Sequence, residues 1–211
     1  KKSELGDTSV TGDERFTYNE YVYNLTAWIL NTAKHTYLNA ANDSTKVSES
    51  WFTYDGASSS NTSPTKGDLT KEERWLDTFG ATNPVTLSSY DTFGNQTSVT
   101  DANNRTTTTA YETATHTYPI STTNAKNQTT TVSYDLGIGS LLAKTDPNGN
   151  TTSYDYDVFG RITKEIKPYD SSSNPTKTYT YLIDGIAPEG VAVSRREVSS
   201  ASAILNTFTF F

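Results

Sequence analysis

Cysteine and methionine are both absent from the 211 residues. Without cysteine there is no disulfide framework, no thiolate zinc site and no thiol nucleophile. Histidine is scarce, with only His35 and His116. Neither lies in a nucleophile motif, and no G-x-S-x-G elbow, HExxH pair or phosphate loop occurs. Apolar runs are short. The most apolar stretch, Ala27-Trp28-Ile29-Leu30, is far below the roughly 18 residues of a membrane span, so no membrane insertion is expected. Positive charge is also in deficit, at 17 basic against 24 acidic residues and a net charge of −7. Residues 1–105 carry −5 and residues 106–211 carry −2, so no basic face is concealed in the average. Nucleic acid needs such a face for counterion release, which excludes it as an expected partner.

The residues present are 38 Thr, 23 Ser and 16 Asn, beside 14 Tyr, 8 Phe and 3 Trp. A disordered chain is poor in aromatic and β-branched residues, so this composition argues for a folded chain. Thr and Tyr suit a pleated, half-solvated surface and are weaker helix formers. The expected class is all-β, with thin hydrophobic layers in place of one thick core. Length alone predicts one domain. The start, Lys1-Lys2-Ser3-Glu4, has neither an initiator Met nor a signal-peptide pattern and reads as an excerpt or a processed product.

Two anchors repeat in phase. Tyr156-Asp157-Val158-Phe159-Gly160-Arg161 echoes Tyr90-Asp91-Thr92-Phe93-Gly94-Asn95, with Tyr111-Glu112 and Tyr134-Asp135 between them, at spacings of 21, 23 and 22 residues. The second anchor is Thr100-Asp101-Ala102-Asn103-Asn104, then Thr123-Asn124-Ala125-Lys126-Asn127, then Thr145-Asp146-Pro147-Asn148-Gly149, at spacings of 23 and 22. In the last of these, Pro fixes φ and Asn-Gly accepts the positive φ of a tight hairpin turn. Tyr154, Tyr156 and Val158 are then expected on one strand face, with Asp155 and Asp157 on the other. Phe159-Gly160 closes a second turn, after which Ile162, Lys164 and Ile166 alternate with their neighbours. One period of about 22 residues therefore holds two strands and two turns, and antiparallel hairpins pair into a continuous sheet.

These anchors resemble the YD repeat of the Rhs (rearrangement hotspot) and YD-repeat family, which includes toxin-complex B and C components, polymorphic bacterial toxins and the teneurins. The resemblance is specific at 134–166, good at 90–133 and weaker elsewhere. Its signature residues are Tyr90, Asp91, Gly94, Asp101, Tyr111, Tyr134, Asp135, Asp146, Gly149, Tyr156, Asp157, Gly160 and Arg161. Tyr54-Asp55-Gly56 and Leu76-Asp77-Thr78-Phe79-Gly80 look like degenerate anchors. Tyr179-Thr180-Tyr181 and Phe208-Thr209-Phe210-Phe211 look like strand halves of later units. The expected organisation is a β-rich segment at 1–50, degenerate units with a Ser-rich loop at 51–89, and the regular strip at 90–211. Glu112, which lacks a turn Gly after it, and Asn127, which replaces one, are departures expected to alter their turns.

The resemblance implies a secreted or surface-exposed, non-catalytic wall of a β-shell or fibre-like strip, needing no cofactor. Its partners would be neighbouring repeats of the same or a like chain, an enclosed toxin polypeptide, or a glycan. An extracellular adhesin or filament segment is the alternative, and a carbohydrate-active enzyme ranks last. Asp155 and Asp157 on one strand face would stand about 7 Å apart, a spacing compatible with glycoside hydrolysis. Because the spacing follows from the repeat, the carboxylates are better read as acceptors for turn N–H groups or for a nearby Arg or Lys. His116 and His35 are read as strand residues. The Asp146 loop invites a calcium reading, but Thr151 and Asp157 stand where an EF-hand needs Gly and Glu. Seven Asn-x-Ser/Thr sequons, at Asn24, Asn42, Asn61, Asn95, Asn104, Asn127 and Asn150, are near what composition alone produces. The Ser-rich stretches 57–64 and 171–175 are expected as exposed loops, and Leu25, Trp28, Ile29 and Thr32 as strand more than helix.

Overall fold

A computed structural model of the chain describes residues 2–5, 13–40, 45–78, 80–183, 185, 189–197 and 204–210. Phe79, Phe211 and the sequon at Asn42 lie outside the described residues. The chain is all-β, and among the described residues there is no helix. It divides into two compact units, 1–108 and 109–211. The first holds β1 (Lys2–Leu5), β2 (Arg15–Asn24), β3 (Ile29–Asn39), β4 (Lys46–Tyr54), β5 (Leu69–Arg74), β6 (Val85–Tyr90), β7 (Gln96–Thr100) and the start of β8 (Thr106–Tyr111). The second holds β9 (Pro119–Thr123), β10 (Thr129–Asp135), β11 (Ser140–Thr145), β12 (Thr151–Tyr156), β13 (Ile162–Ile166), β14 (Lys177–Leu182), β15 (Gly190–Arg196) and β16 (Ile204–Phe210). Within each unit every strand pairs antiparallel with its sequence neighbour, so each sheet is a meander of hairpins.

The sheets bury little. Among the described residues Val22, at 7% exposed, is the one buried apolar strand side chain, and most strand residues are half-buried. Thin apolar layers are thus what the Thr- and Tyr-rich strands build. In the first unit, ring contacts substitute for a thick core. Tyr18 stacks on Tyr37 at 4.6 Å and His35 on Trp51 at 5.3 Å, while His35 Nε2 lies 2.7 Å from Glu49 Oε1.

Several expectations change. Leu25 and Trp28 lie in a turn and Ile29 and Thr32 in β3, so strand is right but is interrupted at 25–28. β12 ends at Tyr156, which removes Asp157 and Val158 from the strand; Val158 is 93% exposed at the turn tip. The cause is local, because the Asp157 side chain competes with the sheet ladder for backbone N–H groups. His35 is a strand residue, but His116 sits in a loop with φ +55°. The loop 57–64 is not exposed throughout: Pro64 is fully buried, and its carbonyl accepts the Asn24 side-chain N–H at 2.8 Å.

Candidate functional site

The repeated turns carry the chain's signature residues, and five of them share one geometry: 91–95, 101–105, 124–128, 146–150 and 157–161. In each, the first residue's N–H donates to the fifth residue's carbonyl at 2.9–3.1 Å. The fourth residue's N–H donates back to the first carbonyl at 2.9–3.3 Å. The first side chain, Asp in four turns and Asn124 in the other, accepts the third and fifth N–H groups on Oδ1 at 2.8–3.1 Å. Its second oxygen takes the fifth side chain: Asn95 at 3.0 Å, Arg105 at 2.8 Å, Asn150 at 2.9 Å and Arg161 at 2.7 Å. The fourth residue needs positive φ, which Gly94, Gly149 and Gly160 supply at 85°, 83° and 76°.

Two sequence anchors are therefore one turn, distinguished by the residue before it. Where that residue is Thr, a second Thr follows the turn and the two hydroxyls bond across the hairpin. Thr100 meets Thr106 at 2.8 Å, Thr123 meets Thr129 at 2.7 Å and Thr145 meets Thr151 at 2.8 Å. Where it is Tyr, the hydroxyl works over a longer range. Tyr90 and Tyr156 donate to the carbonyls of Leu69 and Leu141 at 3.0 and 2.9 Å, and Tyr54 and Tyr181, which precede none of the five turns, do the same to Ala33 and Ile162 at 2.8 and 2.9 Å. All four obey one rule. The ladders between the strands involved end at His35–Trp51, Lys71–Leu87, Ala143–Ser153 and Lys164–Thr178. In each case the Tyr lies three residues beyond the last pair and the carbonyl two residues before it. The tyrosine thus satisfies a carbonyl that the separating strand has released. Tyr156→Phe is expected to cost about 1 kcal/mol, because the Leu141 carbonyl loses its donor. In thermal denaturation this reads as a Tm lower by about 2–4 °C.

The departures divide. Asn127 takes φ +58° and Asn104 +59°, so both do the work of the turn Gly and neither turn is altered. Glu112 does alter its loop, which widens until the Glu112 N–H meets the Tyr118 carbonyl at 3.0 Å. One methylene longer than Asp, its carboxylate reaches the N–H groups of Ala114, Thr115 and Thr117 and the Thr115 hydroxyl. His116 occupies the left-handed position of that loop. Asp135 caps a different turn, accepting from the Gly137 and Ile138 N–H groups while its carbonyl accepts from Gly139. Gly139 has φ +70°, and an added Cβ would stand 2.7 Å from the Tyr118 hydroxyl, so a side chain there strains the backbone and displaces the Tyr118 ring.

Asp55 shows the longest reach. Its two oxygens accept the backbone N–H groups of Thr65, Lys66, Gly67 and Asp68, pinning the far end of the 57–68 loop beside its own turn. No local pattern announces that contact. The threonine clasps, by contrast, had a legible signal in the recurring six-residue Thr spacing.

The electrostatics follow from these bonds. Asp101 and Asp146 have lowered pKa values, first through the Arg105 and Asn150 side chains and then through backbone N–H groups. For Asp55 and Asp157, desolvation raises the pKa, yet the backbone donors, joined at Asp157 by Arg161, outweigh it and the net direction is down. Glu112 is lowered to about 2, foremost by the Thr115 hydroxyl, then by the Thr117 and Thr115 N–H groups. A general acid needs the opposite shift. Asp155 lies 3.4 Å from Lys164, and Asp157 is folded into its own turn, so the two do not form a facing carboxylate pair. Among the described residues no cluster of three or more His, Cys, Asp or Glu is placed to hold a metal ion.

The RHS Repeat family model matches residues 138–172, the stretch that contains β11's continuation through β12 and the 157–161 turn. No curated protein matches the chain. Among solved structures, it is similar to a TcdB2–TccC3 complex at 12% identity over 93% of this chain, with a TM-score of 0.34. A TcdB2–TccC3 complex without its hypervariable C-terminal region aligns at 14% identity over 99% of this chain, with a TM-score of 0.34. A Photorhabdus luminescens Tc holotoxin pore aligns at 13% identity over 93% of it, with a TM-score of 0.31. The chain spans 13%, 14% and 13% of those chains. Residues 138–172 are thus similar to an RHS repeat, and within that stretch Tyr156, Asp157, Gly160 and Arg161 hold a hairpin turn.

Proposed function

We propose that the chain is a non-catalytic structural segment of a secreted or surface RHS/YD-repeat protein, forming part of a β-wall around a toxin or other passenger polypeptide. The observation that carries this reading is the use of the signature carboxylates. Asp101, Asp146 and Asp157 are held ionised and occupied by turn N–H groups, so these repeating residues are ones that shape hairpins. Adding hairpins side by side covers each sheet edge with the next strand and extends a wall without enlarging a core. On this reading residues 90–211 are the regular strip, with 1–50 and 51–89 as less regular units of the same wall. Electron cryomicroscopy of the natural full-length product tests it. These hairpins should lie in the wall of a closed shell, with polypeptide density inside. An open filament, or a free-standing module with nothing enclosed, would overturn it.

A further inference from the structure

Turns alternate between the two edges of a meander. In the second unit β10–β11, β12–β13 and β14–β15 turn at one edge, and β9–β10, β11–β12 and β13–β14 turn at the other. The two edges differ in chemistry. The first exposes Leu136 and Ile138, then Val158 and Phe159, then Leu182 and Ile183, one apolar pair per hairpin. Val158 and Phe159 are 93% and 78% exposed. At the other edge the tips are Ala125-Lys126, Pro147-Asn148 and the loop 168–175, where Tyr169 is the one large exposed apolar side chain.

The three pairs join into one patch. Ile138 reaches the next hairpin, its Cδ1 lying 3.8 Å from where a Cβ would stand on Gly160. The Arg161 guanidinium lies over the Phe159 ring at 5.1 Å and the Tyr181 ring at 4.4 Å, which ties the second hairpin to the third. Single exposed apolar residues are ordinary, but a continuous patch marks a contact surface. The turns do not require it, since their bonds run between backbone N–H groups and the Asp135 and Asp157 carboxylates. A lipid surface fits poorly, because interfacial segments surround their apolar face with Lys and Arg. These turns hold Asp135, Asp157 and Glu189 against one cation, Arg161, which Asp157 engages at 2.7 Å. Size favours a folded partner. The six side chains leave roughly 700 Å² exposed, close to the about 800 Å² that each partner of a stable complex buries. Period favours a partner of the same kind, because the apolar tips recur every two strands, about 10 Å apart, and a second such edge matches that spacing.

We propose that this edge pairs with the same edge of a second copy of the chain, as a two-fold dimer. Antiparallel alignment sets the middle hairpin of each copy, with Val158 and Phe159, beside its counterpart near the axis. The contact is made by hairpin tips, does not extend the sheet, and does not depend on the wall function. Sedimentation equilibrium of the full chain should show monomer and dimer in exchange at up to about 100 µM. Val158→Asp combined with Phe159→Ser should weaken the dimer at least about tenfold and leave the Tm of the dilute monomer unchanged, because both residues are exposed there. Thr207→Lys, which blunts the β16 edge, should leave the dimer as it was. The chain has no cysteine, so single Cys probes report the geometry. With diamide as oxidant, Val158→Cys should cross-link at least about tenfold faster than Asn148→Cys on the opposite edge. A monomer at every concentration, a dimer lost on Thr207→Lys but kept after the Val158 and Phe159 changes, or equal cross-linking at both positions would each overturn the proposal. Cosedimentation with phosphatidylcholine vesicles, abolished by the same two changes, would assign the patch to lipid and overturn it as well.

Discussion

Asp55→Ala is expected to destabilise the first unit by about 3 kcal/mol and to release the 57–68 loop. The carboxylate accepts four backbone N–H groups and the Thr65 hydroxyl, at 2.6–3.3 Å. Hydrogen bonds to a charged group contribute about 1.5–3 kcal/mol each, but the freed loop regains water, so the total falls well short of the sum. Loss of the anchor also unseats Pro64, the largest fully buried side chain, whose carbonyl holds Asn24 across the sheet. Urea denaturation gives the energy, and amide hydrogen exchange at residues 65–68 gives the location. A change below about 1 kcal/mol with unaltered protection there would contradict the account. Asp55→Asn should fall between, because one oxygen still accepts.

Acid is expected to act on the whole chain in the same way. Asp55, Asp101, Asp146, Asp157 and Glu112 all have pKa values below the ordinary carboxylate range in the folded state. A folded pKa below the unfolded one means the unfolded state binds protons first as pH falls. Their stabilisation is therefore complete above about pH 5 and is lost from about pH 4.5 downward as each folded pKa is approached, which for Glu112 lies at about 2. Tm should be level between about pH 5.5 and 8, then fall by on the order of 10 °C or more by pH 2.5. Glu112→Gln should lower the plateau and flatten the acid limb. Asp146→Asn should be mild, because Asn124 already fills the equivalent position and accepts the same two N–H groups. A protein as stable at pH 2.5 as at pH 7 would show that these carboxylates do not hold the turns.

The period, the all-β class and the turn positions were legible because each is written locally, in Asp-x-x-Gly spacing and in Thr and Tyr on the strands. The role of Asp as an acceptor of turn N–H groups was legible for the same reason. What the residue string concealed was distance. Tyr156 reads as a strand residue packing into its sheet, and nothing local shows that its hydroxyl serves the Leu141 carbonyl. Val158 continues an alternating pattern, yet the carboxylate beside it turns the chain first and leaves it at the tip. Glu112 and Asn127 looked like equal faults. Asn tolerates the left-handed conformation and Glu only lengthens the reach, so one turn survives and the other is rebuilt.

The central claim is that Asp55, Asp101, Asp146, Asp157 and Glu112 are structural acceptors held ionised by the groups that hydrogen-bond to them. Carbon-13 NMR titration of the side-chain carboxyls from pH 7 to pH 2 measures it residue by residue. Asp55, Asp101, Asp146 and Asp157 should titrate below the ordinary aspartate value, and Glu112 at about 2. Any of the five titrating above about pH 5 would mark a carboxyl kept protonated for acid chemistry and would contradict the account.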